Sequence, residues 1–481
     1  MGIWTRKTVA SLQENDDASP RGLVRTLGPV DLIFMGIGVV IGAGLFSITG
    51  IAAAEHAGPA IVISFVIGAI GCLFAGLCYS ELASMVPVCG SAYTYAFMTM
   101  GELIAWMIGW DLVLEYAIGA AAVSISWSGY VVSLLHDFNI HLPAEWIASP
   151  WQAVRLADGT MEFGYINLPA LFIVVLTSCI LILGIRESAF VNGLIVIIKL
   201  SVVVVFIGVG VFYINPENYT PFIPPNTGEF GSFGWSGILR AAGVVFFAYV
   251  GFDAVSTAAQ EAKHPQRTIP IGILGSLAIC TVIYVLFSGV MTGLANYKEL
   301  DVAAPVAVAI GKTPFWWLNW LVKLAILAGF TSVILVLLLG QSRIFYSMAC
   351  DGLLPSVFSE IHPRFFTPWR SNLILMLFVG LFAAFAPIAL VGNMTSIGTL
   401  LAFVVVCIAV LILRYREPNR LRVFRAPWVP FTPVMGILVC GLLMVSLDGD
   451  TWIRLVVWLV LGLVLYGTYG RHHSKQSATI H

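Results

Sequence analysis

Apolar runs recur along almost the whole 481-residue chain, separated by short polar or Gly- and Pro-bearing stretches. A helix needs about 20 mostly apolar residues to cross the hydrocarbon core of a bilayer. On that length the pattern predicts twelve transmembrane helices, over residues 30–55, 59–86, 101–134, 167–183, 190–213, 236–259, 270–294, 316–346, 371–388, 394–414, 430–447 and 451–470. The expected fold class is therefore an all-α polytopic membrane protein.

The polar stretches give the orientation. Arg6, Lys7, Arg21, Arg25, Arg186, Lys263, Arg267, Arg343, Arg364, Arg370, Arg414, Arg416, Arg420, Arg422, Arg425, Arg471 and Lys475 fall on one side. Arg155, Arg240, Lys298, Lys312 and Arg454 fall on the other, and seventeen against five makes the first side cytoplasmic. Both termini are then expected inside a plasma (inner) membrane. Residues 1–28 carry Arg6, Lys7, Glu14, Asp16, Asp17, Arg21 and Arg25 without an apolar centre, and read as a cytosolic tail rather than a cleavable signal.

Within the runs, glycine is placed unevenly. The first helix holds Gly36-Ile-Gly-Val-Val-Ile-Gly-Ala-Gly-Leu-Phe46, and the sixth holds Phe246-Phe-Ala-Tyr-Val-Gly-Phe-Asp253. Glycine inside a helix costs roughly 0.5–1 kcal/mol relative to alanine. Two glycine-bearing interruptions five helices apart point to broken helices at the midplane and an inverted repeat, since five is odd. The expected divisions are a first repeat over 29–213, a second over 214–429 including the cytosolic connection after helix ten, two further helices over 430–470, and a tail over 471–481. Gly68 and Gly71 are read more plainly as helix-packing contacts.

Composition narrows the function classes. Apolar residues make up 59% and charged ones 10%, with a net charge of −1, which leaves no basic field for nucleic acid. Mean hydropathy is +0.94. The eight cysteines show no metal-ligand spacing and read as small hydrophobes. No His-Glu-x-x-His or Gly-x-Ser-x-Gly supports an enzyme.

Candidate chemistry lies at the breaks and at charges inside the membrane. Backbone N–H groups of Gly42, Ala43 and Gly44, after Ile41, open a half-helix and suit a carboxylate. Carbonyls of Phe247, Ala248 and Val250 suit an ammonium, so the paired breaks read as a site for an α-amino acid, with Phe247 or Phe246 as a gate. Asp111 and Glu115 are four apart on the third helix, Lys199 is central in the fifth, and Asp253 follows the second break. Each charge at such depth costs a few kcal/mol and is usually functional. Glu115 and Asp253 are candidate proton carriers, and Lys199 a fixed positive charge where a sodium ion would otherwise sit. Lys323, nearer a helix end, is assigned a structural role with its amine snorkelling to the interface.

These residues carry a resemblance. The Gly36–Phe46 segment, Pro87-Val-Cys-Gly-Ser-Ala-Tyr-Thr-Tyr95, Gly109-Trp-Asp-Leu-Val-Leu-Glu-Tyr116, Gly251-Phe-Asp253 through His264-Pro-Gln-Arg267, and Ser342-Arg343 through Pro355 occur in the order and spacing of the amino acid–polyamine–organocation superfamily, in its cationic amino acid transporter branch of bacterial type. The resemblance implies two intertwined five-helix inverted repeats plus two helices, alternating access, and substrate held at the two breaks. It also implies sodium-independent, proton-driven transport: Lys199 matches a lysine that replaces a sodium site, and Glu115 and Asp253 match acidic positions tied to coupling or side-chain recognition. No cofactor is expected. The partners expected are an amino acid substrate and the bilayer, with room for a small single-span accessory subunit. Departures are Ala43 where Thr or Ser is common, Gln260-Glu261 for paired acids, His264 for Asn, and Cys350 for Arg. The reading is a proton-coupled symporter of neutral and cationic L-amino acids; the alternative is a sodium-independent exchanger of cationic amino acids or polyamines.

Overall fold

The computed structural model describes residues 27–86, 91–150, 152–155, 161–184, 189–257 and 262–474. The expected N-terminal tail up to residue 26, Pro87–Gly90, Arg186, the Gln260-Glu261 pair and the tail beyond Ser474 lie outside them.

Helix α1 spans Pro29–Val40, with the Gly28 N–H held by Asp31 Oδ2 at 2.8 Å and Pro29 at its first turn. The chain then leaves the helix at Ile41 (ψ 95°) and restarts as α2 over residues 44–57, with π-helical stretches at both ends. Gly58, at φ +59°, and Pro59 turn it into α3, Ile61–Met85. A short helix α4, Ser91–Thr99, precedes α5, Glu102–Asp137. Next come α6, Leu168–Ile182, and α7, Ala189–Gly210. The sixth run is split: α8, Gly234–Val245, tightens into a 3₁₀ turn at Phe246–Tyr249, unwinds, and resumes as α9, Ala254–Thr257. Then follow α10, Pro265–Leu294; α11, Pro305–Gly311; α12, Trp316–Cys350; α13, Trp369–Phe385; α14, Ile388–Arg416; α15, Phe431–Ser446; and α16, Gly449–His473.

The expected all-α fold is present, with helices at every expected span and both interruptions where glycine placed them. One addition breaks the all-helical description. A small antiparallel hairpin, β1 (Ala153–Arg155) with β2 (Met161–Phe163), sits in the connection between α5 and α6. It falls in a polar loop whose composition carries no helical or apolar period, so nothing in the apolar pattern marks it. Among the described residues eight helical stretches are long and apolar enough to cross a membrane by length and composition, and shorter apolar helices accompany them.

Packing is inside-out relative to a soluble protein. Val204, Leu377, Val445 and Ile453 are all more than half exposed, whereas Glu115, Asp253, Asp111 and Lys199 are sealed from solvent. Lipid must cover the former, because such a continuous apolar exterior would not stay soluble. Inside, α1, α3, α8 and α10 pack as one group and α5, α6, α12 and α13 as another, with α14 against α5, α3 and α15. Gly68 and Gly71 serve as expected: a Cβ on either would press on Tyr249 or Val439 at 3.3 Å. Helix α16 is strapped to α5 by stacked indoles, Trp110 on Trp458 at 4.6 Å, each ring N–H donating to the other residue's carbonyl.

Lys323 keeps its structural role but not by snorkelling. It is buried, donates to the Ser133 carbonyl at 3.1 Å and forms an ion pair with Asp137. The carboxylate of Asp137, the last residue of α5, supplies the counter-charge there, so the amine itself stays buried.

Candidate functional site

The two interruptions meet. A Cβ on Gly44 would lie 2.2 Å from Ala248 Cα, so only hydrogen at Gly44 lets the two backbones touch. Gly251, at φ +104°, could not carry a side chain without strain, and a Cβ there would also strike Val39 at 2.5 Å. The glycines noticed in the sequence are thus explained by contact between breaks as much as by unwinding.

A small cavity opens at this junction, lined by Val39, Val40, Gly42, Ala43, Gly44 and Phe247, with Gly119, Val123, Val250, Val333 and Leu337 completing its wall. Every side chain in that wall is apolar. Gly42, Ala43 and Gly44 stand at the opening turn of α2, where N–H groups lack intrahelical acceptors, and the Gly42 N–H has no backbone acceptor among the described residues. Of the expected gates, Phe247 lines the cavity, whereas Phe246 packs in the core against Phe403 at 5.6 Å.

The unwound carbonyls are answered by two side chains. Lys199 on α7 donates to the Gly38 carbonyl at 2.8 Å and to that of Ile41 at 3.3 Å. Its stem lies on Gly329 of α12, where a Cβ would come 2.6 Å from Lys199 Cε. Tyr284 on α10 places one hydroxyl 2.7 Å from the Val40 carbonyl and 2.7 Å from the Ala248 carbonyl, joining the two breaks. The hydroxyl has a single proton, so it donates to one of them at a time. The Phe247 carbonyl accepts from the Val250 N–H at 3.2 Å. Tyr130 of α5 donates to the Phe46 carbonyl at 2.6 Å and fixes the base of α2.

Ile41, Ala248 and Asp253 are not part of the cavity wall. Ile41 faces Lys199 with its carbonyl, and Ala248 forms the contact with Gly44. Asp253 lies beyond the second break, where its Oδ2 accepts from Tyr116 Oη at 2.9 Å and Ser91 Oγ at 3.0 Å. Glu115 is close enough to interact with both Asp253 and Asp111, so three buried carboxyls share one region of α5 and the start of α9. Asp111, four residues before Glu115, is likewise fully buried, beside Gly398 of α14.

Lys199 is therefore assembled with Ile41 at the first break, and Glu115 with Asp253 just past the second. Sequence reasoning missed Tyr284, Tyr116, Ser91 and Gly329. Tyr116 follows Glu115 directly, but a tyrosine in an apolar helix carries no charge anomaly to mark it. Ser91 falls within the Pro87–Tyr95 segment, where a serine carries no signal of its own.

The comparisons with known proteins agree with this architecture. The family model for amino acid permeases matches residues 27–466. The chain is 43% identical over 456 residues to the branched-chain amino acid permease BcaP of Bacillus subtilis, covering 95% of each. It is 41% identical over 472 residues to the methylthioribose transporter of the same organism, covering 98% of each. It is also 30% identical over 585 aligned positions to the vacuolar cationic amino acid transporter 4 of Arabidopsis thaliana, covering 98% of this chain and 95% of that one.

Proposed function

This chain belongs to the amino acid permease family, and we propose that it is a proton-coupled symporter of neutral aliphatic L-amino acids. It is a multi-pass membrane protein of a permease family, and its cargo class is a small molecule. The observation that carries the finer reading is the wall of the cavity: backbone polar groups at its breaks, and only Val, Leu, Phe, Ala and Gly around them. The Gly42–Gly44 N–H groups would take the α-carboxylate. The Val250 carbonyl, which has no backbone donor among the described residues, would take the ammonium. The side chain would then rest against Val123, Val333 and Leu337.

A guanidinium or second ammonium in that wall would lose water without gaining a partner, which is expensive in a low-dielectric site. Asp253 is already engaged by Tyr116 and Ser91 outside the wall. This narrows the broader expectation of neutral and cationic substrates together. The naming of BcaP for branched-chain amino acids fits the same wall.

What supports proton coupling is a lysine at the first break and a pair of buried carboxyls just past the second. Lys199 donates to two carbonyls of the first break, the place its charge would hold in a sodium ion's stead. Glu115 and Asp253 are both sealed from solvent, and Tyr116, next to Glu115 in the chain, donates to Asp253. The competing reading, a sodium-independent exchanger of cationic amino acids or polyamines, draws only on the names of the cationic amino acid transporter relatives.

Uptake of labelled leucine, alanine, arginine and methylthioribose into sodium-free proteoliposomes, with and without an inward proton gradient, separates the readings. Gradient-driven accumulation of leucine above arginine is expected. Arginine uptake that requires preloaded arginine and ignores the gradient would replace the proposal with the exchanger. Concentration of methylthioribose alone would overturn the amino acid assignment.

A further inference from the structure

A buried ion cluster lies away from the cavity. Glu81, near the end of α3, is sealed from solvent. Its Oε1 accepts from Arg414 Nε and its Oε2 from Arg414 Nη2, both at 2.8 Å, and the Ala426 N–H donates to Oε2 at 2.8 Å. Arg422 Nε makes an ion-pair contact with Oε1 at 3.1 Å. Arg422 also gathers the loop after α14: its guanidinium donates to the carbonyls of Arg420 and Glu417 at 2.9 Å, and to those of Pro418 and Leu413 at 3.3 Å. One carboxylate thus holds the tip of α3, the end of α14 and residues 417–426 together.

The connectivity sets this cluster apart. Glu81 belongs to the group formed by α1, α3, α8 and α10, which contains both broken helices, whereas Arg414 and Arg422 belong to α14 and its loop. The ion pair of Lys323 with Asp137, whose carboxylate is partly exposed, ties α12 to α5 within one group. The cluster also lies at the end of the molecule where Lys and Arg concentrate, the expected cytoplasmic side. Ser91 and Tyr116 on Asp253, and Tyr93 on Asp351 at 2.6 Å, close the same end with neutral donors.

We propose that Glu81 is a positioning residue for transport: with Arg414 and Arg422 it latches the broken-helix group to α14 and its loop, and so favours the state closed to the cytoplasm. The proposal rests on the alternating-access reading above. Opening the cytoplasmic side would move α3 relative to α14 and strip Glu81 of bidentate partners in a buried place, so the latch weighs against that state.

The test is a comparison of KM at the two faces, with leucine uptake by intact cells for the outer face and by inside-out vesicles for the inner. An apparent affinity is reduced by the fraction of protein in the competent state, so Glu81→Gln should raise outer KM about tenfold and lower inner KM. Removing both partners of a buried pair is tolerated better than removing one, so the double variant Glu81→Gln/Arg422→Gln, which takes out the two fully buried charges, keeps the measurement available and should show the same opposed shifts. Both KM values unchanged, or moved in the same direction, would overturn the latch, as would failure of both variants to fold, which would make Glu81 a folding residue only. Wild-type protein that transports no leucine in either preparation would instead remove the reading on which the proposal rests.

Discussion

The two broken helices solve one physical problem with different chemistry. Between α1 and α2 the freed carbonyls of Gly38 and Ile41 receive a full positive charge from Lys199. Between α8 and α9 the freed Ala248 carbonyl receives a neutral phenol, which it shares with Val40 of the first break. Unpaired backbone groups at membrane depth cost several kcal/mol each, so both breaks require donors. The lysine is held to two carbonyls at once with its stem packed on Gly329, while a tyrosine can turn its single O–H from one carbonyl to the other. The first break is therefore electrostatically fixed, and the second is free to adjust. The titratable carboxyls Glu115 and Asp253 lie on the adjustable side.

Substitutions can break that contrast. The largest effect is expected for Lys199→Ala, which withdraws the fixed charge. Gradient-driven accumulation should disappear altogether, and an accumulation assay in proteoliposomes checks it. Next comes Gly44→Ala, whose Cβ would meet backbone at Ala248 rather than a yielding side chain. Overpacking of this kind costs about 1–3 kcal/mol or more, so substrate binding should fall by at least about tenfold, as ligand-induced thermal stabilisation would report.

Tyr284→Phe is milder, because it removes one donor and leaves the charges in place. An unsatisfied buried acceptor costs about 1–3 kcal/mol. The expected result is slower turnover, by about tenfold, with the final accumulation ratio unchanged. The smallest effect belongs to Gly329→Ala, whose Cβ would press on the flexible stem of Lys199. A loss of about two- to fivefold in initial rate would fit an overpacking cost near 1 kcal/mol.

The same contrast explains what the sequence did and did not reveal. Lys199, Glu115 and Asp253 were conspicuous because a charge in an apolar run is anomalous by itself. The breaks were conspicuous because Gly42-Ala43-Gly44 and Gly251 violate helix preference. Tyr284 violates nothing: a tyrosine is ordinary in a long apolar helix, and only the three-dimensional meeting of Val40 and Ala248 gives its hydroxyl a task. Glu81 stood at a helix end, where a carboxylate normally meets water, and its partners are more than 300 residues away in sequence. Lys323 taught the opposite lesson, since nearness to a helix end implied an escape to water that Asp137 makes unnecessary. The apolar wall, too, needed the fold, because Val123, Val333 and Leu337 are unremarkable until they face one cavity.

The central claim is that the fixed charge at the first break sets coupling, while the phenol between the breaks sets only speed. The most direct measurement is the leucine accumulation ratio at steady state in sodium-free proteoliposomes under an inward proton gradient, for wild type, Lys199→Ala and Tyr284→Phe matched for folded protein. The account predicts that Tyr284→Phe reaches the wild-type ratio slowly and that Lys199→Ala never rises above equilibration. Accumulation by Lys199→Ala to the wild-type ratio would contradict it.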